Sequence, residues 1–330
     1  INKFRGDKTI LDPGVAMLEE KCGIPVVGVA PYMNIQVEDE DSLTERFERP
    51  QEVGQIDMAV IRIPRISNFT DFNPLESIPG VSLRYVQHPS DLMHPDVIFL
   101  PGTKNTMEDL KWLRERGMET LILKAAASGT LIFGICGGYQ MLGETLSDPY
   151  GVEAGGSMRG MGLLPMDTVF AEKKTRTQVN GRFLEMNQEF ETLSNVEFTG
   201  YEIHMGETFP AEAGSGLNGS QQAGAGQQPG NASRADHSVT PAICLADGRM
   251  DGFVRDDGLV FGSYLHGLFD NLEFTGAILT RLAEKKGISL TAKAQSMEEY
   301  KESQYDKLAD LVRRSLDMEA LYKIMEEYES

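Results

Sequence analysis

Short apolar runs, each closed by glycine, proline or a polar turn, recur through the middle of the chain and read as buried strands. They predict strands near 56–63, 81–86, 96–100 and 130–135, alternating with helical segments at 105–127 and 137–146. That alternation is the pattern of an α/β fold, an open and mostly parallel sheet with helices on both faces. Gly200–Gly206 and Leu259–Leu265 are two further strand candidates. Ahead of this block, Asp12-Pro13-Gly14 opens a helix through Glu20, and Pro25–Tyr32 reads as another buried strand. Residues 33–55, rich in Glu, Asp and Gln, cannot bury enough apolar surface to order themselves and read as a linker. An Ala-Gly-Ser-Gln-rich stretch near 211–237 reads as a flexible surface insertion. From about 290 onward, Met297, Tyr305, Leu308, Leu311, Leu316, Leu321 and Ile324 stand among Glu and Lys, the spacing of amphipathic helices whose apolar stripes pack. Three segments result: 1–50, a main domain over 51–285, and a helical extension over 286–330.

The chemistry concentrates where the fourth strand ends. Thr130-Leu131-Ile132-Phe133 runs into Gly134-Ile135-Cys136-Gly137-Gly138-Tyr139-Gln140, so a cysteine sits at a strand-to-helix turn with glycines two residues away on each side. Such a turn strains the central residue and pushes its side chain outward, and the flanking glycines let neighbouring chain approach without a Cβ clash. The start of the following helix favours thiolate over thiol, and the amide of Gly137 points toward a developing oxyanion. Cys136 is the candidate nucleophile. A second strand end, Val97–Leu100 followed by Pro101-Gly102-Thr103, offers backbone amides for the other half of an oxyanion site.

A cysteine nucleophile needs a base, and the chain has five histidines. His88, His94 and His237 lie in polar or low-complexity connections. His266 ends the Leu259–Leu265 strand beside Gly267, the place where catalytic groups gather at the carboxyl edge of an open sheet, and it is the predicted base. His204, on the Gly200–Gly206 strand, reads as a structural histidine or a substrate contact.

Composition narrows the setting. With 330 residues and 41% hydrophobic content the chain can bury an ordinary core and more than one folding unit. A formal charge of −19 argues against nucleic acid, and no apolar run has the length of a membrane span. Three scattered cysteines, Cys22, Cys136 and Cys244, suit neither a disulfide framework nor a metal site and fit a reducing, cytoplasmic setting.

These residues carry a resemblance. Gly-Ile-Cys-Gly-Gly-Tyr-Gln, the Leu-Pro-Gly turn before it and Tyr-Leu-His-Gly after it resemble the glutamine amidotransferase domain of the cobyric and cobyrinic acid synthase group, a branch of the triad-type glutaminases. The segment Ile61–Leu75, containing Pro-Arg-Ile-Ser-Asn-Phe-Thr-Asp-Phe, resembles the cobyric acid synthase side of the group, as do residues 200–206 and the opening Asn2–Asp7. The resemblance implies an enzyme that takes ammonia from L-glutamine and, with ATP, amidates carboxylates of a corrinoid, adenosylcobyrinic acid a,c-diamide. It also implies that residues 1–50 are the tail of an upstream P-loop domain of the dethiobiotin-synthetase kind, which would hold ATP and Mg²⁺. The chain itself contains no Gly-x-x-x-x-Gly-Lys-Ser/Thr, so no cofactor and no metal is expected on it. By the same resemblance Gln140 helps to hold the substrate glutamine.

One departure stands out. Triad glutaminases usually carry a glutamate two residues after the histidine, whereas His266 is followed by Gly267 and Leu268. Glu202, Asp270 or a backbone carbonyl are the candidates for orienting the imidazole. Two alternative functions stay open: a cobyrinic acid a,c-diamide synthase or another amidoligase of the branch, and, from a different class, an elbow-type cysteine hydrolase acting on an ester or peptide.

Overall fold

The structure, a computed structural model, describes residues 1–33, 53–185, 193–211, 237–289 and 297–328; the linker and the insertion predicted at 33–55 and 211–237 lie almost wholly outside these residues. Two compact units are present, Ile1–Arg46 together with Met297–Ser330, and Phe47–Ser296.

In the smaller unit the helix Lys8–Cys22 begins at Asp7, whose carboxylate accepts the Thr9 amide, and ends at Gly23 with φ 67. The stretch predicted as a buried strand at 25–32 makes only isolated bridges, Phe4 with Pro31 and Gly28 with Leu316. The helices Met297–Ser315 and Met318–Tyr328 belong to this unit. Asp317 at the junction between them donates its amide to Val27 O at 2.7 Å. The helix Leu272–Lys286 lies in the larger unit.

Among the described residues the larger unit carries fourteen strands: β1 Ile56–Ile61, β2 Ile66–Ser67, β3 Val81–Val86, β4 Val97–Leu100, β5 Gly102–Thr103, β6 Leu131–Ile135, β7 Thr145–Asp148, β8 Gly156–Arg159, β9 Met166–Phe183, β10 Glu197–Pro210, β11 Val239–Leu245, β12 Met250–Arg255, β13 Val260–Ser263 and β14 Leu265–His266. At its centre β3, β1, β4, β6 and β13 lie parallel in that order. Every residue of β1, β4, β6 and β13 is buried, as strands covered on both faces must be. This is the predicted parallel sheet.

Beyond β13 the sheet continues as an antiparallel wing, β12, β11, β9, β10 and β14. β9 begins by alternating buried and half-buried positions and then becomes mostly exposed, the pattern of a strand with one face in solvent. The helix predicted over 105–127 is two helices, Thr106–Glu115 and Met118–Ala127, because Gly117 takes φ 76 between them. That predicted over 137–146 stops at Leu142, where Gly143 turns extended with ψ −177 and leads into β7.

An aromatic cluster fixes the parallel core to the loops above it. Phe99 of β4 packs against Phe133 of β6 at 5.7 Å, Phe72 at 5.1 Å and Phe269 at 5.3 Å between ring centroids. Such pairs add about 0.5–1.5 kcal/mol each beyond the area they bury. Phe72 follows Asp71, and Phe269 lies three residues after His266, so one core anchors both loops. Among the described residues no helix is long and apolar enough to cross a membrane.

Candidate active site

Cys136 occupies the turn between β6 and the helix Gly137–Leu142 with φ 54 and ψ −111. That conformation costs a residue with a side chain about 1–3 kcal/mol and persists only where the surroundings enforce it. They do so through three glycines. A Cβ on Gly134 would stand 2.7 Å from Tyr139 N, one on Gly138 would collide with the carbonyl of Leu100, and one on Gly262, beside Gly134 in β13, would enter the Tyr139 ring. The helix can therefore lie directly on β4, β6 and β13. The Cys136 amide donates to Ser263 O at 2.8 Å, and its Sγ lies 3.3 Å from Ile203 O.

His266, on the two-residue β14 that follows β13 in the chain and pairs with β10, is almost wholly buried. Its ring interacts with Cys136 and stacks on Tyr201, with centroids 5.2 Å apart and planes 19° apart. Burial pushes the imidazole pKa down, but the charge and hydrogen bond of Asp71, followed by Cys136, outweigh it and raise the pKa to about 10. At neutral pH the ring is a cation.

The two glycine turns meet here. A Cβ on Gly102 would lie 3.3 Å from His266 Cε1, and one on Gly137 would lie 2.5 Å from Thr103 Cγ2. Four of the predicted residues, Cys136, His266, Gly102 and Gly137, therefore come together.

The others do not join them in the predicted roles. Gln140 is 2% exposed and its amide bridges Met205 O at 3.0 Å, Tyr264 Oη at 3.2 Å and Thr106 Oγ1 at 2.8 Å. It fastens the helix to β10 and the β13–β14 junction. Glu202 follows Tyr201 on β10 and so projects from the opposite face of the strand, away from the His266 ring. There it meets Arg249 Nη2 at 2.8 Å and lies 3.8 Å from His204 Nε2. Burial pushes the Glu202 carboxyl up, but His204 and Arg249 hold it below its ordinary range. His204 stacks on Tyr264 at 3.9 Å and donates from Nδ1 to Gly206 O at 3.0 Å, a structural setting. Asp270 lies in the turn beyond Gly267, where its amide bonds Gly267 O at 3.1 Å; it is not at the imidazole nitrogen.

The residue at that nitrogen is Asp71, which sequence reasoning passed over: its Oδ2 lies 2.7 Å from His266 Nδ1. The signal was present in the Ile61–Leu75 segment, where an acidic side chain stands between Phe69 and Phe72 in the stretch that follows a buried strand. The whole segment walls the site. Ser67 pairs with Gly102, Asn68 donates to Tyr201 Oη at 3.3 Å, and Arg65 meets Asp109 at 2.9 Å. Among the described residues no group of three or more His, Cys, Asp or Glu side chains is arranged to hold a metal ion.

Comparison with known proteins bears on the same residues. A family model described as the CobB/CobQ-like glutamine amidotransferase domain matches residues 57–274. A cobyric acid synthase of Ruminiclostridium cellulolyticum is 49% identical over 329 residues, covering 99% of this chain and 60% of that protein. Another, of Lachnoclostridium phytofermentans, is 47% identical over 333 residues, covering 99% of this chain and 62% of that protein. The chain thus spans about three-fifths of the length of these relatives. Among solved structures, PurLQS from Thermotoga maritima aligns with a TM-score of 0.48 at 19% identity, over 70% of this chain and 99% of that one.

Proposed function

The chain belongs to the CobB/CobQ-like glutamine amidotransferase domain family, and on that premise we propose that it hydrolyses the side-chain amide of glutamine and supplies the ammonia for amidation of corrinoid carboxylates. The observation that carries this reading is Cys136 at positive φ in the β6 turn, with His266, itself paired to Asp71, against it. Cys136 attacks the carboxamide carbon as thiolate, and the amides of Gly137 and the Gly102 turn receive the oxyanion. Collapse of the tetrahedral adduct breaks the carbon–nitrogen bond while the His266 imidazolium gives its proton to the departing nitrogen, releasing ammonia. His266, now neutral, takes a proton from water as the oxygen attacks the thioester. Glutamate leaves, and the thiolate–imidazolium pair is restored.

The relatives of similar sequence are cobyric acid synthases, and this favours a corrinoid such as adenosylcobyrinic acid a,c-diamide as the acceptor. Forming an amide from a carboxylate needs an activated acyl group, most simply an acyl phosphate made from ATP with Mg²⁺. The sequence has no P-loop, so we assign ATP and Mg²⁺ to an upstream domain outside this chain. The 330-residue chain alone, given ATP, Mg²⁺, the corrinoid and either glutamine or free ammonia, is expected to make no amidated corrinoid, and product is expected once the P-loop domain is added in trans. Mass spectrometry of the corrinoid reads the outcome. Amidated product from the chain alone would overturn this division of labour, and turnover of esters or peptides without glutamine hydrolysis would favour an elbow-type hydrolase.

A further inference from the structure

We propose that Asp71 is the positioning residue of the catalytic pair: its carboxylate fixes the Nδ1–H tautomer of His266 and holds the ring's positive charge, leaving Nε2 for Cys136. This rests on the glutaminase reading above. It assigns the orienting role, which the class usually gives to a glutamate just after the histidine, to a side chain 195 residues earlier in the chain.

The geometry is that of a two-point clamp. Asp71 Oδ2 accepts from His266 Nδ1 at 2.7 Å and Oδ1 accepts from the Gly267 amide at 3.0 Å. One carboxylate thereby fixes both the ring and the backbone that carries it. Gly267 takes φ 81, a conformation that a residue with a side chain rarely adopts, and this turns its amide toward Asp71. Asp71 sits on the short 3₁₀ turn Phe69–Phe72, where its own amide bonds Asn68 O at 3.1 Å. Phe72 and Phe269, 6.0 Å apart between ring centroids, tie the two loops to a common core. The distance between carboxylate and imidazole is thus set by packing on both sides.

The electrostatics agree. Asp71 and His266 are both buried, so the pair is little screened by solvent. The titratable groups facing the ring are Asp71 from the 3₁₀ turn, Cys136 from the elbow and Tyr201 from β10, with Asp270 beyond Gly267. Burial, with Asp71 next, pushes Tyr201 up to about 12, so the stacked phenol is neutral at working pH. Asp71 is the largest source of the raised imidazole pKa. A group whose pKa is raised keeps its proton until the pH passes the raised value, so Asp71 maintains the acid that ammonia release requires across the neutral range.

Asp71→Asn separates this role from that of a loop staple. The asparagine Oδ1 can still accept from Gly267, whereas its Nδ2 presents a donor to Nδ1 and selects the other tautomer. The experiment is ¹⁵N NMR of the full chain, following the titration and tautomer of His266 in wild type, Asp71→Asn and Asp71→Glu, with His266→Gln assigning the signal, alongside kcat and KM for glutamine. The wild-type imidazole is expected to titrate near pH 10 with its proton on Nδ1. In Asp71→Asn the midpoint is expected to fall by about 1–3 pH units and kcat by about 10²–10⁴-fold, with KM little changed. Asp71→Glu is expected to restore much of both. A wild-type midpoint near the ordinary value of about 6.5, or one unmoved in Asp71→Asn, overturns the assignment even if the rate falls. The wild-type titration decides the matter if the asparagine variant fails to fold. Absence of glutamine hydrolysis by wild type, with the midpoint shift intact, would instead overturn the function and leave the pairing standing.

Discussion

Replacing Cys136 with serine is expected to remove glutamine hydrolysis to background, a loss of about 10⁴-fold or more, while leaving the fold intact. Serine fits the turn, because the strain at φ 54 is a matter of backbone and the hydroxyl is no larger than the thiol. The chemistry fails for a different reason. His266 is a cation at neutral pH, so it can stand beside a thiolate but cannot take a proton from an alcohol. The check is ammonia release by wild type and variant, with circular dichroism to establish folding. An electrophilic glutamine analogue sharpens it: Cys136 is buried in the site, Cys22 is exposed and Cys244 is half-buried. Labelling at Cys136 with Cys22 and Cys244 spared supports the assignment. Equal labelling of all three would remove it, since exposure alone would then explain reactivity.

His266→Ala is expected to cost about 10²–10⁴-fold in glutaminase rate, far more than His204→Ala. Both side chains are buried and both stack on a tyrosine, so the comparison controls for the loss of a packed imidazole. The difference lies in what each ring touches. His266 joins Cys136 to Asp71, whereas His204 joins Gly206 O to the Glu202–Arg249 pair. Steady-state rates at saturating glutamine read the result, and equal losses would mean that the ring serves the fold and that the proton is handled elsewhere.

The sequence discloses this site unevenly, for physical reasons. The elbow is legible because its constraint is local: a cysteine two residues from glycines on each side can be recognised without knowing what packs against them. The same holds for β1, β4, β6 and β13, whose burial on both faces makes each a continuous apolar run. β9 is harder, since Glu172-Lys173-Lys174-Thr175 resembles solvated loop until its partner β10 is known. Asp71 was hidden by distance along the chain and by its setting in a four-residue turn with no periodicity. The partners of Gln140 were equally out of sight, since Thr106, Met205 and Tyr264 come from three separate parts of the chain.

The hydrogen bond from Cys136 N to Ser263 O places the nucleophile at the end of the β6–β13 ladder, among residues of the central sheet. Chemistry mounted on mobile loops is often lost on heating well before the fold, through local opening that leaves a folded but inactive enzyme. Here the reacting cysteine is bonded to the wholly buried central strands, where amide exchange is expected to require opening on the scale of the whole domain. Heat inactivation and thermal unfolding should therefore trace a single transition, so a calorimetric scan of the larger unit would also read out the working limit of the catalyst.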